Sequence, residues 1–162
     1  VCNLSKGMLS MLTVIIGLAS KAEITILDEP AAGLDVIVRE EFYKLIIDEQ
    51  QENGRTFIIS THIIEEAANV FEEVIILKDK CVYLKENTVE LLDKCRYVSG
   101  LEEDVKNAVD GCEIINEEHM GRSYAVTVMQ DGDGKIKAVQ HVTVQSVSLQ
   151  NLFIAICGQS NM

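Results

Sequence analysis

Proline and basic residues are both scarce in this sequence. Pro30 is the single proline in 162 residues, and 14 lysines and arginines stand against 26 aspartates and glutamates, which gives a formal net charge of −12 at pH 7. Acidic residues outnumber basic residues in both halves of the chain, so neither half offers a basic face to a phosphate backbone. This charge balance argues against direct binding of DNA or RNA.

Metal-site spacings and membrane spans are missing as well. The five cysteines are widely scattered, without a C-x-x-C pair and without a ligand-like cluster with the three histidines. We therefore expect reduced thiols and a reducing compartment. The richest apolar run, from Met8 to Ser20, is shorter than the roughly 20 apolar residues of a membrane span and is better interpreted as a buried helix.

The first part of the chain alternates between strand and helix signals. We predict helices over residues 8–19, 38–51, 65–71 and 89–94, and strands over residues 24–27, 56–60, 74–77 and 81–84, the last two as a hairpin. Asp35 stands where the second helix needs an N-cap, and Asn53-Gly54 provides a stop signal. This rhythm predicts an α/β fold with a layered parallel sheet.

The pattern changes after about residue 97, and we predict two domains, 1–96 and 97–162. The second is expected to be a small α+β accessory domain, with helices over 101–109 and 149–156 and strands over 113–117, 124–129 and 142–147. Ser148 is the expected N-cap of the last helix. The acidic stretch over 131–134 begins like a calcium loop but lacks its later ligands, so we interpret it as a hairpin turn.

Three polar residues follow predicted strands at the end where parallel sheets place their ligands. Asp28 and Glu29 come directly after the strand over 24–27, and His62 follows the next strand. A crossover connection puts such strand ends side by side. One carboxylate there can hold Mg²⁺ through water, and the next can polarise an attacking water. Taken alone, Asp28-Glu29 would be two acids entering a turn, and His62 a surface or core residue.

Four motifs occur together in one order: LSKGM, ITILDEP, AGLD and STH. In this order they closely resemble the nucleotide-binding domains of ABC transporters, which have a P-loop NTPase fold, over residue 3 to about residue 90. The resemblance implies that Asp28 is the Walker B residue that binds Mg²⁺ through water. It also implies that Glu29 is the general base and that His62 is the switch histidine contacting the γ-phosphate of ATP.

The same resemblance assigns the signature motif to residues 4–8 and the D-loop to residues 33–35, which includes Asp35. A Ser5 hydroxyl and a Gly7 amide at the start of a helix can donate to a phosphate, although Ser5 could equally be an ordinary cap. In the family this phosphate belongs to ATP on the opposite subunit. Lys6 and Met8 depart from L-S-G-G-Q, and Lys6 adds positive charge near the phosphate.

The variant S-x-G-M is similar to that of ATPases serving ABC-2 type exporters, and the segment over 145–158 resembles the closing segment of the same ATPases. The resemblance implies ATP and Mg²⁺ as cofactors, a second ATPase subunit in a head-to-tail dimer, and a transmembrane permease subunit as partner. It implies a cytoplasmic protein held at the inner face of the cell membrane through that permease.

A phosphate-binding loop of the form G-x-x-x-x-G-K-[ST] does not occur among the 162 residues. We therefore expect this chain to be the C-terminal piece of a longer ATPase and to be inactive alone. Two other function classes remain open. One is an ABC-type ATPase of DNA repair or chromosome maintenance, and the other is a non-catalytic regulatory or dimerisation module.

Overall fold

A computed structural model describes residues 5–121, 123–130 and 134–158. Leu4 of the predicted signature motif and most of the predicted turn over 131–134 lie outside the described residues. The chain divides into two compact units, of which the first ends at Val70 and the second begins at Phe71. The division predicted after residue 96 instead falls inside a strand, and a functional boundary there stays a prediction. No helix in the described ranges is long and apolar enough to cross a bilayer.

The first unit alternates helices and strands: α1 (Lys6–Ala19), β1 (Ile24–Asp28), α2 (Val36–Asn53), β2 (Thr56–Ser60) and α3 (Ile64–Ala67). Asp35 is the N-cap of α2, because its carboxylate accepts a hydrogen bond from the amide of Val38 at 3.0 Å. Gly54 ends α2 in the left-handed conformation, with φ of 63°. Both predictions are confirmed, whereas α3 is shorter than the helix predicted over 65–71.

Strands β1 and β2 pair in parallel and in register, with Ile24 opposite Thr56 and Asp28 opposite Ser60. Helix α1 approaches one face of this pair so closely that a Cβ on Gly17 would lie 3.4 Å from the Thr25 side chain. The alternate residues of β1 point away from that face and are exposed. The in-register pairing places the carboxyl ends of the two strands side by side.

A buried arginine holds α1, β1 and α2 together. Arg55 is 5% exposed, and its guanidinium donates to the carbonyls of Gly17 and Leu18 in the last turn of α1 at 3.1 and 3.0 Å. It also donates to the carboxylate of Glu49 on α2 at 2.9 Å and to the hydroxyl of Thr25 on β1 at 3.0 Å. A cation at the carboxyl end of a helix is favourable because it offsets the helix dipole. Arg55 therefore adds a buried cationic donor to two carbonyls at the end of α1, to which Ser20 and Lys21 also donate.

The second unit contains β3 (Glu73–Lys78), β4 (Cys81–Asn87), α4 (Thr88–Lys94), β5 (Cys95–Gly100), α5 (Glu102–Ala108), β6 (Glu113–Met120), β7 (Ser123–Met129), β8 (Thr143–Ser146) and α6 (Leu149–Cys157). The predicted hairpin is confirmed as β3 and β4, which pair in antiparallel fashion. The remaining strands form an antiparallel sheet in the order β6-β7-β5-β8. Ser148 begins α6, as predicted, by accepting from the amide of Asn151 at 3.2 Å.

The core of the second unit lies between its four-stranded sheet and α5. It is formed by buried side chains from β5, β7 and the α5 segment: Val98, Val105, Val109, Tyr124, Val126 and Val128. Strand β5, which the sequence analysis did not identify, lies between β7 and β8 and pairs with both. The second unit therefore buries a continuous apolar layer of its own.

Candidate functional site

Asp28 and Glu29 leave the end of β1 in a constrained conformation. The carboxylate of Asp28, the last residue of β1, accepts a hydrogen bond from the hydroxyl of Ser60 at the end of β2. The backbone amide of Glu29 donates to the carbonyl of Ser60 at 2.9 Å, which continues the strand pairing for one residue. Glu29 has a positive φ of 45°, which is uncommon for a non-glycine residue and is concentrated at functional sites.

The turn after Glu29 sends its side chain toward the residues that follow β2. Oε1 of Glu29 lies 2.7 Å from Nδ1 of His62. The hydroxyl of Thr61 donates to Oε2 of Glu29 at 3.5 Å, and the same hydroxyl accepts from the amide of Ile63 at 3.0 Å. The structure thus brings together the acid and the histidine that the sequence analysis placed at neighbouring strand ends.

This pair is open to solvent on the histidine side. The side chain of His62 is 74% exposed and that of Glu29 is 36% exposed. An exposed imidazole can turn away from its carboxylate toward an arriving anion, since little packing holds it in place. The arrangement can therefore bind a phosphate through His62 and hold a water through Glu29.

The start of α1 packs against the loop between β1 and α2. A Cβ on Gly7 would come within 2.6 Å of the carbonyl oxygen of Gly33, a contact that real side chains do not make. Gly33 itself has a φ of 79°, which favours glycine. The hydroxyl of Ser10 on α1 donates to the carbonyl of Ala32 at 3.3 Å. The residues of the predicted signature motif and of the predicted D-loop are therefore neighbours in the fold.

The other predicted binding residues lie at helix starts. The hydroxyl of Ser5 is exposed and accepts from the amide of Met8 at 3.2 Å, which makes Ser5 the N-cap of α1. Lys6 is the first residue of α1, and its side chain lies outside the described part of the chain. Asp35 accepts from the first turn of α2. Ser5 and Asp35 each cap a helix, as the sequence indicates, and their contact with a nucleotide stays a prediction.

The carboxylates of Asp28 and Glu29 fit a magnesium site in which most ligands of the ion come from elsewhere. In the described ranges, no group of three or more histidine, cysteine, aspartate or glutamate side chains could enclose a metal ion. Mg²⁺ commonly keeps several waters and is bound by one or two carboxylates together with substrate phosphates. Asp28, at the strand end with one oxygen bonded to Ser60, fits that mode.

Residues 3–68 match the sequence profile of an AAA domain family whose description adds a candidate AbiEii toxin of a type IV toxin–antitoxin system. The chain is 32% identical over 107 residues to the energy-coupling factor transporter ATP-binding protein EcfA2 of Staphylococcus saprophyticus, which covers 66% of this chain and 37% of that protein. It is 23% identical over 162 residues to the ABC transporter ATP-binding protein YtrB of Bacillus subtilis, covering 96% of this chain and 56% of that protein.

Among solved structures, the chain is similar to one described as an inward-facing conformation of a candidate metal-chelate type ABC transporter. The TM-score is 0.50 at 19% identity, and the likeness covers 79% of this chain and 48% of that one. This likeness shows the α/β fold of the ABC ATPase cassette. The chain thus spans between about a third and somewhat over half of the length of these relatives.

Proposed function

We propose that this chain, a relative of the ATP-binding proteins of ABC transporters, supplies the hydrolytic half of an ATPase site. The observation that carries the proposal is the contact of 2.7 Å between Glu29 and His62 at the joined carboxyl ends of β1 and β2. Hydrolysis of ATP needs two groups from the protein at this edge of the sheet. One is a carboxylate that can orient water, and the other is an imidazole that can contact a phosphate.

Each of the three residues at the strand ends has a separate proposed role. Glu29 accepts a hydrogen bond from the attacking water and aligns it with the γ-phosphate of ATP. His62 turns from Glu29 toward that phosphate and donates to it. Asp28 would hold Mg²⁺ through a water, and a bound ion would supply neutralisation of charge on the phosphate oxygens.

Helix α1 is proposed to close over a nucleotide bound by a second ATPase subunit. Ser5, Lys6 and Gly7 lie at its amino-terminal end, where the helix dipole and the amides favour an anion. Asp35 belongs to the same loop as Gly33, which packs against Gly7. A shift of this loop would therefore move the start of α1. We propose a head-to-tail dimer in which this end of α1 meets the partner's ATP.

The larger assembly is proposed to be an exporter. In it, the ATPase dimer would lie at the cytoplasmic face of the membrane and drive a separate permease subunit. Residues 97–162 would form an accessory domain. Because the 162 residues contain no Walker A loop, and because two carboxylates repel a triphosphate, we propose that this chain alone binds ATP more weakly than about 1 mM and does not hydrolyse it.

The deciding experiment replaces Glu29 in the full-length ATPase. Glu29→Gln keeps the side-chain shape, so ATP binding should be retained while kcat falls by about a hundredfold or more, and the ATP-bound dimer should accumulate. Glu23→Gln, an exposed change just before β1, is the matched control and should leave kcat unchanged. Hydrolysis by Glu29→Gln at the parent rate would falsify the role of Glu29 and with it the proposed site.

A further inference from the structure

Helix α3, which follows His62 in the chain, is too short to hold its own position. It begins two residues after His62 and contains four residues, Ile64–Ala67, and Ile63 at its start makes no side-chain capping hydrogen bond. Helices of fewer than about 12 residues are marginal in isolation, because nucleation of a helix is costly. The place of α3 in the first unit must therefore be set by its contacts with other elements.

An ion pair between α2 and α3 supplies such a contact. A terminal nitrogen of Arg39 lies 3.0 Å from Oε1 of Glu66, and both side chains are less than a third exposed. Arg39 belongs to the first turn of α2, where its amide donates to the carbonyl of the N-cap residue Asp35 at 3.0 Å. The buried side chain of α3 is that of Ala67, a single methyl group that contributes little apolar area. The ion pair is therefore the stronger tie between α3 and its neighbours.

This ion pair is poorly designed for stability alone. Nε of Arg39 and Oε2 of Glu66 are buried without a hydrogen-bond partner in the described residues, as is the hydroxyl of Tyr43 one turn further along α2. Buried polar atoms without partners cost free energy, and apolar residues of similar volume can often replace a buried pair without loss of stability. The contact between Arg39 and Glu66 is better explained by the position that it fixes.

The segment whose position depends on α3 is the one that carries His62. At its start, the segment leaves β2, which is fixed by pairing with β1. At its end it enters α3, four residues before Glu66 is joined to Arg39. The imidazole of His62 is largely exposed, so packing does not place the ring, and its location follows from the backbone. A shift of α3 would therefore change the contact of 2.7 Å between His62 and Glu29.

We infer that Arg39 and Glu66 are positioning residues for His62. Their ion pair holds α3 against α2, and α3 in turn keeps the imidazole beside Glu29 at rest and in reach of the γ-phosphate during hydrolysis. Small displacements of a reacting group are costly, since an error of about 1 Å can lower a rate by roughly a hundredfold. This inference rests on the proposed function, because it takes His62 as the residue that meets the phosphate.

The test breaks the ion pair by Arg39→Met in the full-length ATPase. Displacement of His62 should lower kcat about tenfold, while KM for ATP stays within about twofold, because Arg39 is not among the proposed nucleotide-binding residues. Glu66→Gln keeps the side-chain shape, should reproduce the loss, and carries the test if Arg39→Met does not fold. Lys94→Met is the matched control, since it breaks an ion pair of 3.0 Å with Glu86 in the second unit, and should leave both constants unchanged.

The same change in a His62→Ala background separates positioning from a structural role. If Arg39 acts through His62, Arg39→Met should lower kcat by less than about twofold once the imidazole is gone, measured by single-turnover hydrolysis at saturating ATP. A second tenfold loss in that background would show that Arg39 acts elsewhere, and would overturn the inference. A parent-like kcat in both Arg39→Met and Glu66→Gln, with His62→Ala impaired, would overturn it while leaving the proposed function intact. If His62→Ala itself has the parent kcat, the proposed role of His62 fails first.

Discussion

The two units bury their apolar residues to very different extents. In the first unit, β1 exposes Ile24 and Ile26, the latter by 72%, and β2 exposes Ile58. In the second unit, Val98, Val126 and other residues of the central strands are fully buried. The unit that carries the candidate site combines a small set of buried apolar residues, among them Phe42 and Ile46, with the polar contacts of Arg55, whereas the second unit has more buried apolar residues. The candidate site therefore lies in the unit that buries fewer apolar residues.

The largest effect is expected from Arg55→Met. The change removes the buried cation that donates to the carbonyls of Gly17 and Leu18 and to the carboxylate of Glu49, which should cost about 3 kcal/mol or more. Amide hydrogen exchange should show protection lost in β1 and β2 and retained in β5 and β7. Lys135→Met, at an exposed position, is the control. Equal loss of protection in both units would contradict the contrast drawn between them.

A smaller effect is expected in the core of the second unit. Val126→Ala removes two carbon atoms from a fully buried position in β7 and should lower the free energy of unfolding by about 2 kcal/mol. Val144→Ala in β8, where the valine is half-exposed, should cost roughly 0.5 kcal/mol or less. Denaturant titration of both variants measures the difference, and similar costs at the two positions would argue against a packed core.

The exposed apolar surface of the first unit should affect association rather than folding. Helix α1 exposes Ile15 and Ile16 along with several other apolar residues, and such surfaces favour self-association. We expect Ile16→Gln to reduce the apparent mass of the chain in light scattering without changing its circular dichroism. Ile154→Gln, at an isolated exposed position on α6, should leave the mass unchanged. If the two variants associate to the same degree, the exposed face of α1 is not the surface that causes association.

The smallest effect is confined to alkaline pH. Burial and the hydrogen bond to Glu117 raise the pKa of Tyr124 in the second unit to about 12, from an ordinary value of 10.0. The folded form therefore binds the phenol proton of Tyr124 more tightly than the unfolded form does. The contribution of this proton to the free energy of unfolding is complete below pH 10 and is lost as the pH rises toward 12. Ultraviolet titration should show a late-ionising phase whose amplitude falls by one tyrosine in Tyr124→Phe. A late phase of unchanged amplitude would show that Tyr124 does not contribute to it.

Local signals explain why the first unit was predicted well. Asp35 and Gly54 define the start and the end of α2, and the apolar runs of β1 and β2 predicted strands. The expected burial was wrong, because β1 and β2 are exposed on one face and the helix interpreted as buried, α1, exposes Ile15 and Ile16. The neighbouring positions of Glu29 and His62 followed from the crossover rule for parallel strands. Contact between Glu29 and His62 was predictable because the crossover connection and the register place the ends of β1 and β2 side by side.

Long-range contacts explain what was missed. Strand β5 contains Arg96, Ser99 and Gly100, which give no clear strand pattern, and it is extended because it pairs with strands on both sides. The donors of Arg55 reach carbonyls of α1, and no spacing in the sequence points to that contact. Tyr43 has the spacing of an ordinary core aromatic residue, and only its unpaired hydroxyl distinguishes it in the structure.

The close approach of Gly7 to Gly33 has a consequence for how this chain can change by mutation. With 2.6 Å available between a Cβ at position 7 and the carbonyl of Gly33, even alanine would push the start of α1 away from the loop. Tolerance of a side chain at Gly7 would therefore require a second change that moves the backbone around Gly33. In a mutational scan, the two positions should behave as one epistatic unit, with single replacements rejected and rescue found only in paired variants.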